Sequence, residues 1–435
     1  MAICAKDTLG IVRPAVAIAL LWANFAWAQS AQQPVDSIRL DVTEQYGSNP
    51  NAVDTLQSTE SVQLTKTRDK PGTVRGITLR LSTGVGYDGN VFRTERNTSS
   101  DLFWSLRPAA YLNGVFGKNS YRFGYEGDYA KYSDFSTEDF VDHRVFADTR
   151  LDLTRKLDFN LGAQYRLGHD PRGSLGNRLF VPGELDRWEE YRVKAEFVVG
   201  REITRAQVIP WVEVSGMRYT NNGQSVRDFD RQDFRLRGRW RFTSRLYGLA
   251  EGGYANITHL DSRNTLDRTE TDFLLGIGWQ ATAKTSGEAM FGILNRSFKN
   301  AGRANSNAPT WDVRIHWVPK PYSKVTAYTR RSSEENAGGV GNYLSDSYGA
   351  LWRHAFTERL DLNTSIDYTV ADFDSVREDK YVSFDFGLTY EVTRWLDVGA
   401  TYRYLNRRSN IPGINFDDHM FLLELRVGAA RSLGP

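Results

Sequence analysis

The sequence predicts an all-β fold, a transmembrane outer-membrane β-barrel of about 18 antiparallel strands, on three observations. Polar and apolar residues alternate with a period of two from about residue 74 onward. The alternating segments extend over roughly ten or more residues, the length that a tilted strand needs to cross a bilayer. The connections between the segments are alternately short and long, an asymmetry typical of outer-membrane barrels.

The composition is compatible with such a barrel and argues against nucleic-acid binding. Hydrophobic residues make up 40% of the 435 residues, a share that would ordinarily favour a soluble protein. A barrel can span a bilayer with this composition, because only every second residue of each strand faces lipid. The net charge of +2, from 55 basic and 53 acidic residues, excludes the strongly basic field that nucleic-acid binding requires.

The first 28 residues are predicted to be a cleaved signal peptide. Lys6 and Arg13 supply a basic start, an apolar core runs from Val16 to Ala23, and Ala26-Trp27-Ala28 provides a small-residue cleavage site. The apolar run is too short for a membrane-spanning helix, and no later stretch of the sequence reaches the ~18 apolar residues that such a helix requires.

The remaining sequence divides into a polar extension and the barrel. Residues 29–72 contain few aromatic residues and many polar ones, so we interpret them as a flexible periplasmic N-terminal extension. The barrel is predicted over residues 73–430. The chain's single cysteine, Cys4, leaves with the signal peptide, so the mature chain is expected to have neither a disulfide nor a thiolate metal site.

The clearest predicted strand runs from Val382 to Val392, where apolar and aromatic residues occupy every second position. Phe384, Phe386 and Leu388 are separated there by polar residues or glycine. The same alternation predicts strands centred near residues 81, 107, 125, 147, 163, 194, 213, 237, 251, 277, 292, 314, 328, 350, 365, 386, 400 and 423.

The predicted connections alternate in length along the chain. Short turns are predicted near residues 117–119, 155–156, 243–245, 283–285, 319–321, 357–359 and 393–394. Long polar loops are predicted over residues 88–101, 168–187, 219–231, 259–270, 298–310, 332–346, 371–380 and 406–417. Because an even number of strands returns the chain to its starting side, both termini are expected in the periplasm of a Gram-negative bacterium.

Aromatic residues near the predicted strand ends indicate girdles at the two interfaces between membrane and water, where amphipathic rings are favoured. Contact with outer-membrane lipid is therefore expected on the outer face of the barrel. The aromatic residues that suggest the girdles are Trp104, Tyr129, Tyr191, Tyr254, Trp279, Trp317, Tyr404 and Phe421.

Charged residues are expected to line the lumen, because lipid could not accept them. The strongest signal is a row of four arginines at alternate positions, Arg235, Arg237, Arg239 and Arg241. Further lumen candidates are Arg192, Lys194, Glu196, Asp148, Arg150, Asp312 and Arg314, with Asp152, Arg122, Glu126, Asp128, Asp361 and Asp367. Two interpretations remain open: the charges pair across strands to support a wide barrel, or they contact sugar hydroxyls or acidic groups of a solute.

Signals for catalysis are poor. The six histidines stand alone in the sequence, without the spacing of a metal site such as H-E-x-x-H. The G-x-S-x-G motif of serine hydrolases is also missing from the sequence. No catalytic residue, cofactor or metal ion is therefore predicted.

Two segments carry a family resemblance. The segment Tyr87-Asp88-Gly89-Asn90-Val91-Phe92-Arg93 resembles the Y-D-x-N-x-F-R segment that opens type-two putative β-barrel porins, the outer-membrane barrels of exopolysaccharide biosynthesis operons. The segment from Gly168 to Ser174 is similar to another loop of that family. The resemblance covers about residues 73–429. One departure is the C-terminus, which continues from Ala430 to Pro435 where outer-membrane barrels often end on an aromatic residue.

The resemblance implies an eighteen-stranded barrel that gives exopolysaccharide a route through the outer membrane. It also implies two partners, a periplasmic polysaccharide-export protein and an inner-membrane copolymerase. The alternatives are a porin for small solutes or oligosaccharides, an outer-membrane barrel enzyme that acts on lipid or polysaccharide, and a structural or adhesive barrel with a plugged lumen.

The first motif segment also has a structural interpretation from its residues alone. Asp88-Gly89-Asn90 is typical of a turn, after which Phe92 can pack onto the barrel rim. The alternative is that Asp88, Asn90 or Arg93 binds solute.

Overall fold

The computed structural model describes residues 76–432 apart from 176–182, 202–203, 264, 283, 335–341 and 374–376. The predicted signal peptide (1–28), the predicted extension (29–72) and the first residues of the predicted barrel (73–75) lie outside the described residues.

The described residues form eighteen β-strands, each of which alternates between a lipid-facing and a lumen-facing side. Two short 3₁₀ turns, Ser136–Glu138 and Ser225–Arg227, lie in the connections after β3 and β7. The strands are β1 Gly76–Asp88, β2 Asp101–Phe116, β3 Asn119–Tyr132, β4 Phe140–Thr154, β5 Leu157–Asp170, β6 Asp186–Val199, β7 Ala206–Tyr219, β8 Phe229–Arg241, β9 Leu246–His259, β10 Arg268–Thr282, β11 Thr285–Phe298, β12 Ser306–Lys320, β13 Ser323–Glu334, β14 Tyr343–Ala355, β15 Leu360–Phe373, β16 Arg377–Thr393, β17 Leu396–Ser409 and β18 Phe416–Ser432.

Every strand pairs antiparallel with its neighbours in sequence, and β1 pairs with both β2 and β18. The closing pair extends from Gly76 opposite Ser432 to Asp88 opposite Met420. Closure removes the free sheet edges, so every strand finds backbone hydrogen-bond partners without water. The predicted fold class and strand number are confirmed, and each of the eighteen predicted strand centres lies in a different strand.

The predicted alternation of short and long connections is also confirmed, with two corrections. The pattern predicted from sequence lacks two connections, one between the end of β3 at Tyr132 and the start of β4 at Phe140, the other between the end of β6 at Val199 and the start of β7 at Ala206. The predicted loop at 371–380 is too long, because β15 continues to Phe373 and β16 begins at Arg377. Backbone pairing continues through polar residues beyond the membrane, since the ladder hydrogen bonds do not depend on side-chain polarity. We call the two ends of the barrel the short-turn end and the long-loop end.

The outer face carries large apolar side chains that no other part of the protein covers. Leu423 is 66% exposed, Ile293 64% and Phe291 62%. An exposed apolar band of this kind is what lipid covers in a membrane barrel. Trp104, Trp317, Tyr254 and Phe421, four of the predicted girdle residues, are among the exposed aromatic side chains.

No helix of the described residues is long and apolar enough to cross a membrane.

Buried apolar residues form small clusters inside the barrel. One of these clusters joins Leu175, from the connection after β5, to Tyr343, Phe373, Tyr381 and Phe416 on β14–β18. A loop from one wall of the barrel therefore contacts another wall, and this contact shapes the interior.

Candidate functional site

The row of four arginines on β8 lies on the lumen face, as predicted. Phe234, Leu236 and Trp240, which alternate with the arginines, are exposed on the outer face. In contrast, Arg235 and Arg237 contact carboxylates of β9–β11, which also face the lumen.

The first two arginines of the row, Arg235 and Arg237, belong to an ionic network that crosses four strands. Arg235 contacts Glu251 at 3.1 Å and Asp272 at 3.2 Å. Arg237 contacts Glu251 at 2.6 Å and Glu288 at 3.7 Å. Glu251 is only 7% exposed and contacts both Arg235 and Arg237, so it fixes the positions of these two neighbouring side chains.

The last two arginines of the row, Arg239 and Arg241, have a different environment. The guanidinium of Arg239 lies 3.6 Å from the centroid of the Tyr247 ring. Arg241 follows at the end of β8, on the same face and near the short-turn end. The row therefore extends from the ionic network toward the mouth of the barrel.

The other lumen candidates lie on the same inner face. Arg192 pairs with Glu190 at 2.9 Å, Lys194 with Glu196 at 3.4 Å, and Arg150 with Asp158 at 3.0 Å.

Asp148, Asp312 and Arg314 also share the lumen-facing parity of their strands. Asp148 precedes Arg150 by one alternation on β4. Asp312 and Arg314 face the lumen from β12 and belong to no ion pair within the described part of the chain. Pairing across or along strands thus explains most of the predicted lumen charges, and a fixed ionic lining is the result.

The first motif segment forms the predicted turn at the long-loop end. The backbone N–H of Asn90 donates to Asp88 Oδ1 at 3.0 Å, an Asx turn. Arg93 pairs with Asp88 at 2.9 Å and with Asp418 of β18 at 3.2 Å. Burial by itself lowers the pKa of Arg93. The Asp88 and Asp418 carboxylates raise this pKa by more than burial lowers it, so the net shift is upward. Asn90 Nδ2 donates to the carbonyl of Asp417 at 3.0 Å and links the turn to the closing strand.

The two aromatic residues of the segment, Tyr87 and Phe92, take no part in these polar contacts. Tyr87 faces outward and is 40% exposed. The ring of Phe92 packs edge-on against Phe135, with 4.9 Å between the ring centroids. The predicted packing of Phe92 onto the rim is therefore confirmed, and the buried polar groups of Asp88 and Asn90 are used within the protein.

The second motif segment begins a loop that enters the barrel. We call residues 171–185 the lumen loop; its residues 176–182 lie outside the described part. Arg172 donates two hydrogen bonds to Glu138, with N–O distances of 2.9 and 2.8 Å. The carbonyl of Gly173 accepts hydrogen bonds from the Tyr381 hydroxyl and, at 3.4 Å, from Arg407.

These contacts place the loop across the lumen. The loop starts from β5, whereas Tyr381 lies on β16 and Arg407 on β17. In the closed ring of eighteen strands, β16 is separated from β5 by seven steps, and nine steps would be diametrically opposite. The lumen loop therefore narrows the long-loop end of the barrel. Sequence reasoning missed its anchors, because residues so far apart in the chain leave no local pattern.

The two motif segments meet at this point. Gly173 has a positive φ of +73°, and a Cβ added there would lie 2.7 Å from Phe416 and 2.9 Å from Arg93. Only glycine fits both the backbone conformation and the space. The turn formed by the first motif is thus part of the surface against which the lumen loop packs.

A buried ionic cluster holds the base of the same loop. Asp170 accepts hydrogen bonds from Trp188 Nε1 at 3.0 Å and from the Tyr219 hydroxyl at 3.2 Å. Arg227 pairs with both Asp170 and Asp186, the second at 3.2 Å. The loop after β7 therefore contacts, through Arg227, both ends of the lumen loop where it joins β5 and β6.

A cavity of about 80 Å³ lies between the lumen loop and the wall formed by β2–β4. Arg107 crosses its lining and contacts Asp128 at 3.3 Å and Glu424 at 2.7 Å. His169 contacts Asp142 at 3.0 Å beside it. The cavity is small and is lined by both charged and apolar side chains, as expected where a loop lies close to the wall.

No group of three metal-ligating side chains occurs among the residues that the structure describes. The expectation that the chain has no catalytic residue, cofactor or metal ion stays a prediction.

Comparison with solved structures finds similar bacterial proteins at low sequence identity. Pseudomonas aeruginosa OccK2 (OpdF) shares 11% identity with a TM-score of 0.47, over 82% of this chain and 99% of that one. A BenF-like porin from Pseudomonas fluorescens shares 10% identity with a TM-score of 0.46, over 82% and 100%. Acinetobacter baumannii OccAB3 shares 11% identity with a TM-score of 0.42, over 82% and 99%. No curated protein matches the chain.

The family comparison is more informative. The model of a family described as putative beta-barrel porin 2 matches residues 77–429, which is nearly the whole of the described barrel. This match confirms the resemblance drawn from the two motif segments. A closed barrel with an apolar outer band and a porin family together indicate an outer-membrane channel. The chain belongs to the putative beta-barrel porin 2 family.

Proposed function

We propose that the barrel provides a passage for the secretion of exopolysaccharide across the outer membrane. The observation that carries this proposal is a lumen wall in which cationic groups lie on aromatic rings. Arg122 and Arg144 lie 5.2 and 4.7 Å from the centroid of Phe146, and Lys194 lies 5.2 Å from that of Trp211. For Arg122, which forms no ion pair among the described residues, such stacking holds the flat guanidinium face against the wall and leaves its N–H edge available to a solute.

A wall of this kind suits a polysaccharide for a physical reason. Each sugar unit presents many hydroxyl acceptors and an apolar face of C–H groups. Hydrogen bonds to hydroxyls exchange readily with water, so a series of fixed donors can guide a chain without trapping it. Trp211 and Tyr111 are half-buried on the lumen side and supply aromatic surface for the C–H faces.

The proposal includes an orientation and two partners. The first strand begins and the last strand ends at the short-turn end, so we place that end and both termini in the periplasm of a Gram-negative bacterium. The partners would be a periplasmic polysaccharide-export protein and an inner-membrane copolymerase, as the resemblance implies.

A second candidate function is a porin for small solutes or oligosaccharides. The lumen loop favours it, because Gly173 and Leu175 reach the opposite wall and reduce the opening at the long-loop end. A polymer passage would require this loop to leave space beside it or to move.

A deletion strain separates the two functions. Polysaccharide in the medium would be compared with polysaccharide retained in the periplasm, with and without the chain supplied in trans. Retention that the wild-type chain relieves supports export. Unchanged secretion, with a lower rate of small-sugar entry into proteoliposomes lacking the chain, would establish the porin function and overturn the export proposal.

The lining itself can be tested with a matched pair of tryptophans. Trp211→Ala removes a lumen ring, whereas Trp317→Ala removes a ring that is 49% exposed on the outer face. Export should decrease with the first substitution at equal protein level in the membrane. An equal effect of both substitutions would mean that membrane assembly, and not the lumen wall, limits secretion.

A further inference from the structure

We infer that the polymer is acidic, with carboxylate-bearing sugar units, and that it enters from the short-turn end past Arg80 and Arg122. This inference rests on the proposed export function and names its substrate class and direction. Two independent features of the structure support it, a cationic mouth and a pair of guanidiniums in the lumen close to that mouth.

The mouth is cationic around its whole circumference. All eight short turns, or the residues that flank them, carry an exposed Lys or Arg. These exposed cations are Lys118, Arg155, Lys156, Arg205, Arg245, Lys284, Lys320, Lys324, Arg359 and Arg394. Among the described residues of these turns, one carboxylate, that of Glu358, is exposed. A second acidic residue of the same connections, Glu202, lies outside the described residues.

The long-loop end differs, because its loops contain both signs of charge. Arg263 pairs with Asp261 at 2.5 Å, and Lys299 lies 3.9 Å from Asp267. The whole chain carries a net charge of only +2, so the cationic mouth is a local property of one end. A predominantly cationic ring concentrates anionic solutes at the opening that it surrounds.

Inside this mouth, two guanidiniums flank one aromatic ring. Arg80 of β1 lies 5.5 Å and Arg122 of β3 lies 4.8 Å from the centroid of the Tyr111 ring on β2. The Tyr111 hydroxyl donates to Glu126 at 2.8 Å, and Glu126 also pairs with Arg144 at 3.1 Å. The ring is therefore fixed in place, and the Glu126 carboxylate is engaged by two other groups.

Arg80 and Arg122 differ from the paired cations of the same wall. Neither forms an ion pair within the described residues, whereas Arg144 and Arg150, on the adjacent strand β4, each do. Both are partly buried on the lumen face, where an unpaired cation is costly unless an anion or water meets it. Two guanidiniums that share one ring can present their N–H edges to a single carboxylate, whose planar geometry matches the arginine fork.

The two features lie along one route. Arg122 follows Lys118 by four residues on β3, a separation of roughly 13 Å along an extended strand. An acidic chain held at the mouth could therefore reach the Tyr111 site with its next sugar units. We regard the turn cations as the collecting surface and Arg80 with Arg122 as the first binding site.

Anionic phospholipid is the competing occupant of the turn cations. Phe116, Phe242, Tyr322, Phe356 and Trp395 are exposed in the same turns, as expected beside lipid headgroups. Lipid does not explain Arg80 and Arg122, because they face the lumen. The lumen pair is therefore the part of the inference that discriminates between the two occupants.

The test measures block of single channels formed by the mature wild-type chain in planar bilayers. The probes are an oligogalacturonate and its carboxyl-reduced, neutral counterpart of equal length. Orientation would be reported by a cysteine introduced at Gly302→Cys in the long-loop end, since the mature chain is predicted to lack other cysteines. We expect the acidic oligomer to block for at least tenfold longer than the neutral one, and mainly from the short-turn side.

Variants assign the block to the lumen pair. Arg80→Gln with Arg122→Gln should shorten the block by the acidic oligomer about tenfold, while Arg80→Lys with Arg122→Lys should retain much of it. Arg263→Gln, at the other end of the barrel, is the matched control and should have no effect. The wild-type comparison of acidic and neutral oligomers needs no variant, so it decides the question even where a substitution impairs assembly.

Three outcomes would overturn the inference. Equal block by the acidic and neutral oligomers would exclude an acidic substrate class, and a longer block from the long-loop side would reverse the direction. Block that depends only on phosphatidylglycerol in the bilayer and not on Arg80 and Arg122 would assign the cations to lipid. Each of these leaves the deletion-strain result for export intact, so failure of the inference is distinguishable from failure of the proposed function.

Discussion

Arg172 of the lumen loop and Glu138 of the turn after β3 form a two-pronged ion pair, with N–O distances of 2.9 and 2.8 Å. The Glu138 side chain is almost fully buried, and that of Arg172 is 12% exposed. Loss of one member of a charged pair with so little water around it leaves the other charge buried without its partner, so breaking this pair costs more than breaking a surface ion pair. On the far side of the lumen, the same loop is held by Tyr381 and Arg407.

Removing the Arg172–Glu138 pair should widen the channel. Glu138→Gln leaves the Arg172 guanidinium without its carboxylate, and breaking such a buried pair typically costs about 3–5 kcal/mol. We expect the lumen loop to detach more often and the single-channel conductance to increase. Glu378→Gln, which removes the exposed partner of Lys380, is the control. Conductance that is the same in the wild type and Glu138→Gln would show that the loop does not limit the opening.

Gly173→Ala should have a similar effect by a steric route. The substitution adds a methyl group within 3 Å of Phe416 and Arg93 at a residue with φ of +73°. The left-handed backbone conformation alone costs an L-residue about 1–2 kcal/mol. Conductance recordings should show a more open or noisier channel.

Gly117→Ala is a matched control for that substitution. Gly117 has a φ of +60°, but nothing lies within 4 Å of the position of its Cβ. The same backbone cost therefore applies without a clash in the lumen. If both substitutions change conductance equally, backbone strain is responsible, and not the packing of the lumen loop against Phe416 and Arg93.

The ionic network of β8 should set the ion selectivity of the channel. Glu251→Gln removes the carboxylate shared by Arg235 and Arg237, so the lumen gains positive charge at this level. Reversal potentials in a salt gradient should shift toward anion selectivity, and stability should fall because two partly buried cations lose a shared partner. Asp261→Gln, in an exposed pair at the long-loop end, should change neither quantity measurably. An unchanged reversal potential for Glu251→Gln would place the network outside the ion path.

A charge on the outer face should impair membrane assembly. Ile293→Arg introduces a cation at a position that is 64% exposed to lipid, and a central Arg costs about 2–4 kcal/mol in such barrels. Folding into vesicles, followed by the heat-dependent shift in gel mobility, should give a lower yield. Asn363→Arg adds the same side chain on the lumen face of β15 and should fold normally. Equal yields for the two variants would contradict the assignment of the faces.

Much of the barrel could be predicted from sequence because its determinants are local. The alternation around Phe384 and Phe386 identifies a strand and its lipid face, since successive side chains of a strand point to opposite sides. The same rule places Arg235 and Arg237 in the lumen. The turn at Asp88-Gly89-Asn90 was predictable as well, because an Asx turn needs only neighbouring residues.

The arrangement inside the lumen depended on the tertiary structure. The hydrogen bond between Tyr381 and the Gly173 carbonyl joins residues 208 positions apart, and no periodicity relates them. Likewise, Arg80, Tyr111 and Arg122 share one site only because β1, β2 and β3 lie side by side. The sequence by itself determined which residues form strands and which side of each strand meets lipid, since both depend on a period of two. Ring closure and long-range side-chain contacts decided which loop enters the lumen and which cations meet there, because these depend on strands that come together only in the folded barrel.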